Sequence, residues 1–145
     1  MTVELTGELT GEPIGEQAGS GNSGPGYAKY PEHTVKIQPF AGCVAVKTAG
    51  KVIAESRGAI LLTESDYSPV YYLPRADVDF SQLEEVELST LCPFKGYARY
   101  WRTVAEENGQ PVAWGYDTPY DEVETLSGYV AFYEDRITLE VADTA

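Results

Sequence analysis

The sequence predicts an all-β domain made of many short strands. From about residue 31 onward, apolar and polar residues alternate with a period of two, as they do in half-buried strands. Turn-forming residues separate these segments at intervals of roughly 8–12 residues. Helical periodicity extends nowhere beyond about two turns. Together these observations favour a compact β-sandwich or barrel.

The strands can be placed in order along the chain. In the first, Val35 and Ile37 alternate with Thr34 and Lys36, and Pro39 ends the strand. The remaining strands are expected at residues 43–48, 51–56, 58–63, 70–73, 86–91, 97–104, 112–116, 129–133 and 137–141.

Turn residues lie between these strands. Ala49-Gly50 and Asn108-Gly109 each predict a hairpin, because such pairs adopt the left-handed conformations that tight hairpins need. A turn is expected over Asp66–Pro69, and Pro74–Asp77 ends the strand that follows it. The last two strands are joined through Glu134–Arg136.

The N-terminal segment differs in composition from the rest of the chain. Within residues 4–19 a Glu-x-x-Gly unit repeats every four residues, and a Gly- and Ser-rich run follows. Glycine at this density loses much conformational entropy on folding, and little apolar surface offsets that loss. Every aromatic residue lies at Tyr27 or beyond. We therefore expect a disordered tail over 1–30, or alternatively a partner-binding arm, and a single β domain over 31–145.

The charge balance argues against two classes of partner. The 145-residue chain carries 23 acidic residues against 10 Lys and Arg, for a formal net charge of −13. Binding to nucleic acid or to anionic membranes relies on clustered basic side chains, which this sequence lacks. No stretch approaches the roughly 18 apolar residues of a membrane span, and no export signal is visible. We therefore expect a cytoplasmic protein.

Metal and cofactor binding are not expected. The two cysteines, Cys43 and Cys92, form no Cys-x-x-Cys pair, and His33 is the one histidine of the chain. Without an export signal, reduced thiols are favoured. The carboxylates of Asp77 and Asp79 would hold Mg²⁺ in nucleotidyl transfer, but such a pair often arises by chance in an acidic chain. A structural or exposed role is expected for His33, with general base catalysis as the alternative.

The segment around Cys92 is the densest candidate for chemistry. Pro93 and Gly96 predict a tight turn over residues 92–95, which would bring Lys95 close to Cys92. A nearby ammonium group favours the thiolate, so Cys92 and Lys95 are candidate catalytic residues of a thiol or redox enzyme. The alternative is a buried packing cysteine beside a solvated lysine.

Aromatic and basic side chains suggest a second kind of site. Trp114 and Tyr116 share one face of their strand, and Trp101 lies with Arg99 on one face of the preceding strand. Such walls bind planar ligands, although they also fill cores. Arg75, which follows Tyr72 closely, would clamp a carboxylate or phosphate, or would pair with one of the many acids.

Seven motifs in a fixed order identify a family resemblance. They are His33-Thr34-Val35, Ile53–Ser56, Val70–Val78, Cys92–Gly96, Tyr100-Trp101, Ala113–Tyr116 and Gly128–Tyr133. From about His33 to Val141 the chain resembles the bacterial and fungal family called domain of unknown function 427.

The resemblance implies a fold and one possible activity. The fold would be of the Mss4-like or β-tent type, with two antiparallel sheets packed at an angle. Zinc-binding proteins of that fold use Cys-x-x-Cys knuckles, which this chain lacks. The family is sometimes labelled nucleotidyltransferase-like, yet the Gly-Ser turn typical of those enzymes occurs here in the tail alone.

These observations lead to a ligand-binding hypothesis. Tyr72, Trp101, Trp114 and Tyr116 would line a pocket for a planar or anionic small molecule, with Arg75 and Lys95 as polar anchors. The enzyme alternatives are a thiol activity at Cys92 and nucleotidyl transfer at Asp77. The oligomeric state does not follow from the sequence.

Overall fold

The computed structural model describes residues 22–106 and 109–142. Within those residues, one short helix, α1 (Pro25–Lys29), precedes ten strands. The strands are β1 (Val35–Pro39), β2 (Cys43–Thr48), β3 (Lys51–Ser56), β4 (Ile60–Glu64), β5 (Tyr67–Pro74), β6 (Leu83–Cys92), β7 (Gly96–Thr103), β8 (Ala113–Gly115), β9 (Tyr129–Phe132) and β10 (Thr138–Ala142). Short 3₁₀ helices occupy Arg75–Asp77, Phe80–Gln82 and Asp121–Leu126.

The strands form two antiparallel sheets. Seven strands pair in the order β1-β4-β5-β9-β8-β7-β6, and the other three pair in the order β10-β2-β3. The predicted all-β fold is therefore confirmed. Strands β9 and β10 follow each other in the chain but belong to different sheets, so the connection at residues 133–137 carries the chain from one sheet to the other.

Strand alternation gives the seven-stranded sheet two apolar faces. One face packs against the small sheet and forms the inter-sheet cluster, which includes Val44, Ile53, Leu73, Trp101 and Val130. The opposite face carries the outer cluster, which includes Tyr27, Ile37, Tyr72, Tyr116 and Leu126. Because successive side chains of a strand point to opposite faces, neighbours such as Tyr72 and Leu73 serve different clusters.

The turn between β2 and β3 confirms the predicted hairpin. Both strands have the predicted bounds, and Ala49 and Gly50 have φ values of 51° and 78°. Two consecutive left-handed residues are typical of the turn whose twist matches that of paired strands.

The turn expected over Asp66–Pro69 was placed wrongly. The chain reverses at Ser65 and Asp66, and β5 already begins at Tyr67. The pairing of β4 with β5 shifts between Leu62 and Glu64, and Pro69 has no partner in that register. Proline is tolerated inside a strand at such a bulge because its missing N–H is not needed there.

The second predicted hairpin is longer than its sequence signal indicated. Strands β7 and β8 pair antiparallel, but the connection between them spans residues 104–112. Asn108, on which the prediction rested, lies outside the described residues.

The fold begins earlier than the predicted boundary at residue 31. Tyr27 in α1 is only 1% exposed, and its ring meets that of Phe94 edge to face at 5.0 Å. The Gly26 N–H also donates to the Pro93 carbonyl at 2.9 Å. A β-carbon at Gly26 would lie 2.7 Å from the Phe94 ring, so glycine permits this close approach. Residues 1–21 of the predicted tail lie outside the described residues. No helix among the described residues is long and apolar enough to cross a bilayer.

The turn between β2 and β3 offers a stability test. We expect Gly50→Ala to lower the free energy of unfolding by about 1 kcal/mol, since a β-carbon disfavours the left-handed conformation. No atom lies within 4 Å of the new methyl group, so the loss would come from the backbone alone. Gly58→Ala is the matched control, because its β-carbon would make ordinary contacts beginning at 3.6 Å. Equal losses for both variants in urea denaturation would contradict this account of the turn.

Candidate functional site

A cavity of about 220 Å³ opens on the face of the large sheet that carries the outer cluster. Its walls are mainly aromatic, and a lysine and a glutamate supply its charged groups. The lining residues are Leu62, Glu64, Val70, Tyr72, Lys95, Tyr100, Trp114, Tyr116 and Tyr133. We refer to it as the tyrosine pocket.

Four strands of the large sheet, β4, β5, β7 and β8, supply most of the walls. Leu62 and Glu64 lie two residues apart in β4, and Val70 and Tyr72 lie two apart in β5. Trp114 in β8 pairs directly with Tyr100 in β7, so the two side chains stand together. The period of two thus directs residues of several strands to one side of the sheet.

Lys95 reaches the pocket from the turn between β6 and β7. The predicted tight turn is confirmed, because the Lys95 N–H donates to the Cys92 carbonyl at 3.2 Å. The ammonium Nζ lies 2.5 Å from Oε1 of Glu64, and the two side chains are 9% and 13% exposed. An ion pair with so little solvent contact is sensitive to the loss of either partner, because the remaining charge would be buried alone.

His33 binds the other oxygen of the same carboxylate. Its Nε2 lies 2.7 Å from Oε2 of Glu64, and its ring stacks on Phe94 with centroids 3.7 Å apart. Backbone and side-chain bonds between Thr34 and Ser65 hold this corner together at the start of β1. His33, Glu64 and Lys95 therefore form one connected polar group, which we call the Glu64 cluster.

Sequence reasoning did not find the Glu64 cluster. Glu64 was one acid among many, and His33 had no visible partner. The contact depends on the pairing of β1 with β4, in which Val35 lies opposite Glu64. No local pattern reports such a pairing between strands that are distant in the chain.

The pocket aromatics are held by contacts among themselves. The Trp114 indole N–H donates to the Tyr72 hydroxyl at 3.3 Å, and the Trp114 ring lies 4.5 Å from that of Tyr133. Burial raises the pKa of Tyr72 and that of Tyr116 well above the ordinary tyrosine range. Both groups therefore remain neutral phenols at physiological pH.

The structure brings four of the seven predicted ligand and catalytic residues together, while Arg75, Cys92 and Trp101 do not line the pocket. Tyr72, Lys95, Trp114 and Tyr116 all line the tyrosine pocket. Trp101 is 4% exposed and packs in the inter-sheet cluster on the opposite face. It pairs with Ala113, the neighbour of Trp114, so the two tryptophans point to opposite sides of the sheet.

Arg75 lies with Trp101 rather than with Lys95. Its guanidinium carbon is 5.1 Å from the centre of the Phe80 ring and 5.6 Å from that of Trp101. It also pairs at 3.4 Å with Asp117, which receives a second ion pair from Arg99. This arrangement matches the ion-pair interpretation of Arg75, with Asp117 as the acid.

The residues of the two enzyme alternatives, Cys92 and Asp77, lie in different environments. Cys92 is a half-buried free thiol packed against the outer cluster, while the Lys95 ammonium is directed to Glu64. Asp77 accepts a hydrogen bond from the Ser56 hydroxyl at 2.6 Å, and Asp79 accepts bonds from Ser81. In the part of the chain that the structure describes, no three His, Cys, Asp or Glu side chains are grouped so that they could hold a metal ion.

Comparison with known proteins supports the resemblance drawn from the motifs. The family model described as Domain of unknown function (DUF427) matches residues 36–143. No curated protein matches the chain.

The burial of the Glu64 cluster leads to a stability prediction. We expect Lys95→Met to lower the free energy of unfolding by about 3 kcal/mol, because Glu64 loses its main counter-charge in a mostly dry site. Lys47→Met is the matched control, since Lys47 pairs with Glu140 at 3.2 Å on the surface and should contribute less than about 1 kcal/mol. A loss for Lys95→Met as small as that of the control in urea denaturation would show that the cluster is effectively solvated.

Proposed function

The chain belongs to the family described as Domain of unknown function (DUF427), which assigns it no activity, and we propose that the domain binds a small planar molecule in the tyrosine pocket. The observation that carries this proposal is the convergence of five aromatic side chains around one buried ion pair. Binding sites for small molecules are typically apolar cavities with a few polar groups that fix the orientation of the ligand.

The aromatic walls favour a flat ligand. Rings of Tyr and Trp pair with other rings face to face or edge to face at centroid distances of about 4.5–7 Å. Trp114 already makes such contacts with Tyr72 and Tyr133, at 6.2 and 4.5 Å. A ligand ring that entered between these walls would extend the same packing.

The polar groups favour a ligand that accepts hydrogen bonds. Both oxygens of Glu64 are already engaged, one by Lys95 and one by His33. Lys95 carries three N–H donors, of which one reaches Glu64. The Tyr72 hydroxyl accepts from Trp114 and keeps its own O–H for donation. The pocket therefore offers donors, which suit a carbonyl, carboxylate or similar group.

The volume limits the size of the ligand. A cavity of about 220 Å³ is smaller than the roughly 300–1,000 Å³ of sites that enclose drug-sized molecules. A volume of this size favours a single ring with one polar substituent over a larger molecule. This size gives less support to nucleotidyl transfer, whose substrate carries a base, a sugar and three phosphates.

The surroundings of Cys92 favour ligand binding over a thiol activity. Thiol catalysis at Cys92 gains no comparable support, because the neighbouring ammonium is bound to Glu64.

The two tryptophans provide a direct test of where a ligand binds. Trp114 lines the pocket and Trp101 packs on the opposite face of the sheet, so each reports on one side. The Trp101→Phe variant retains Trp114 as its one indole. We expect that some single-ring acids, amides or phenols change the fluorescence of this variant when they bind in the pocket. The same compounds should also raise the melting temperature of the unmodified protein, as any ligand of the folded state does.

Trp114→Phe is the matched control for this experiment. It retains Trp101, so its fluorescence should not respond to the same compounds. A response carried by Trp114→Phe and absent from Trp101→Phe would locate binding on the wrong side of the sheet. If no compound changes either the fluorescence or the melting temperature, the proposed function is refuted.

A further inference from the structure

The charges of the Glu64 cluster restrict the kind of ligand that the tyrosine pocket accepts. Lys95 and Glu64 form a one-to-one pair at 2.5 Å, so their charges cancel. A neutral ligand leaves this balance unchanged. An anionic ligand beside Lys95 adds a negative charge to a site with little water, and such a charge is costly unless a positive charge accompanies it.

His33 is the group that can supply the balancing charge. It lies on the side of Glu64 away from Lys95, and its imidazole does not line the pocket. Its Nε2 is committed to Oε2 of Glu64, so a second proton would enter at Nδ1 and leave that bond intact. The side chain is 15% exposed, which gives water some access to the ring. Imidazole is the side chain that ordinarily changes charge between pH 5 and 8.

Resting on the proposed function, we propose that the ligand is a small aromatic carboxylate and that it binds together with one proton, which is held at Nδ1 of His33. The carboxylate accepts from the free N–H donors of Lys95. The positive charge of protonated His33 then balances the negative charge of Glu64. The positive charge of Lys95 is thereby available to balance the ligand carboxylate. His33 thereby determines specificity without touching the ligand.

The other titratable groups around the site do not take this role. Glu64 and Lys95 are the pair itself. Tyr27, Tyr72, Tyr116 and Tyr133 stay neutral, since burial raises the pKa of each phenol. Cys92 is close enough to Tyr27 and Tyr116 to influence their charges. Binding is therefore measured between pH 5.5 and 7.5, below the pH range in which a thiol ordinarily loses its proton.

The direction of the coupling follows from the charges. A bound carboxylate favours protonated His33, so its affinity is highest at low pH and falls as His33 loses its proton. With benzoate as the probe, we expect the dissociation constant to increase about tenfold between pH 5.5 and pH 7.5. Benzoate is ionised throughout this range, because carboxyl groups titrate near pH 4. Benzamide has the same ring and no charge, so its affinity should change less than about twofold.

His33→Gln isolates the proton from the hydrogen bond. The glutamine amide still donates to Glu64 but does not titrate, so benzoate affinity should lose its pH dependence and remain weak throughout. Because the chain has one histidine, a single imidazole NMR signal reports its protonation in the unmodified protein. Saturating benzoate should shift the titration midpoint of that signal upward, and benzamide should leave it in place.

The outcomes separate this inference from the proposed function. Pocket binding of benzamide, or of other neutral rings, with no pH-dependent binding of benzoate overturns the carboxylate inference and leaves the proposed function standing. Benzoate binding that keeps its pH dependence in His33→Gln also overturns it, because the proton would then reside elsewhere. Failure of every single-ring compound refutes the proposed function, and this inference with it.

Discussion

The site depends on one carboxylate, that of Glu64, which joins three distant parts of the chain. It binds Lys95 from the turn between β6 and β7 and His33 from the segment that precedes β1. A buried carboxylate is unfavourable unless its charge is balanced and its lone pairs accept hydrogen bonds. Lys95 supplies the balancing charge, and His33 supplies a second hydrogen-bond partner. Glu64 therefore connects the segment before β1 with the turn between β6 and β7 beside the tyrosine pocket.

The two faces of the large sheet differ in how completely they are filled. Leu73, Trp101 and Val130 fill the space against the small sheet, where they are almost fully buried. Tyr72 and Trp114, their neighbours in the strands or across them, stand on the other face and line a cavity. The outer face is closed elsewhere by α1 and the 3₁₀ helix at Asp121–Leu126, which leaves the pocket as an opening in a covered surface.

Local features of the fold followed from the sequence, and long-range ones did not. The turn at Ala49-Gly50 and the turn at Lys95 each depend on a few adjacent residues. Both turns could therefore be predicted from the local sequence. Strand parity likewise put Trp114 and Tyr116 on one face. Parity could not assign Trp101 to a face relative to Trp114, because that relation depends on the register between β7 and β8. The position of His33 beside Glu64 depends in the same way on the pairing of β1 with β4.

The acidic character of the chain is compatible with the anionic ligand proposed for the pocket. A net charge of −13 is spread over the whole sequence, and exposed charges more than about 8 Å away are largely screened at physiological ionic strength. Two unit charges 4 Å apart interact by about 4 kcal/mol at the effective dielectric constant of about 20 found near protein surfaces. A carboxylate next to Lys95 would therefore experience mainly the few charges of the Glu64 cluster. Under the proposed binding mode, the balance among Lys95, Glu64 and His33, rather than the total charge of the protein, would decide whether an anion is accepted.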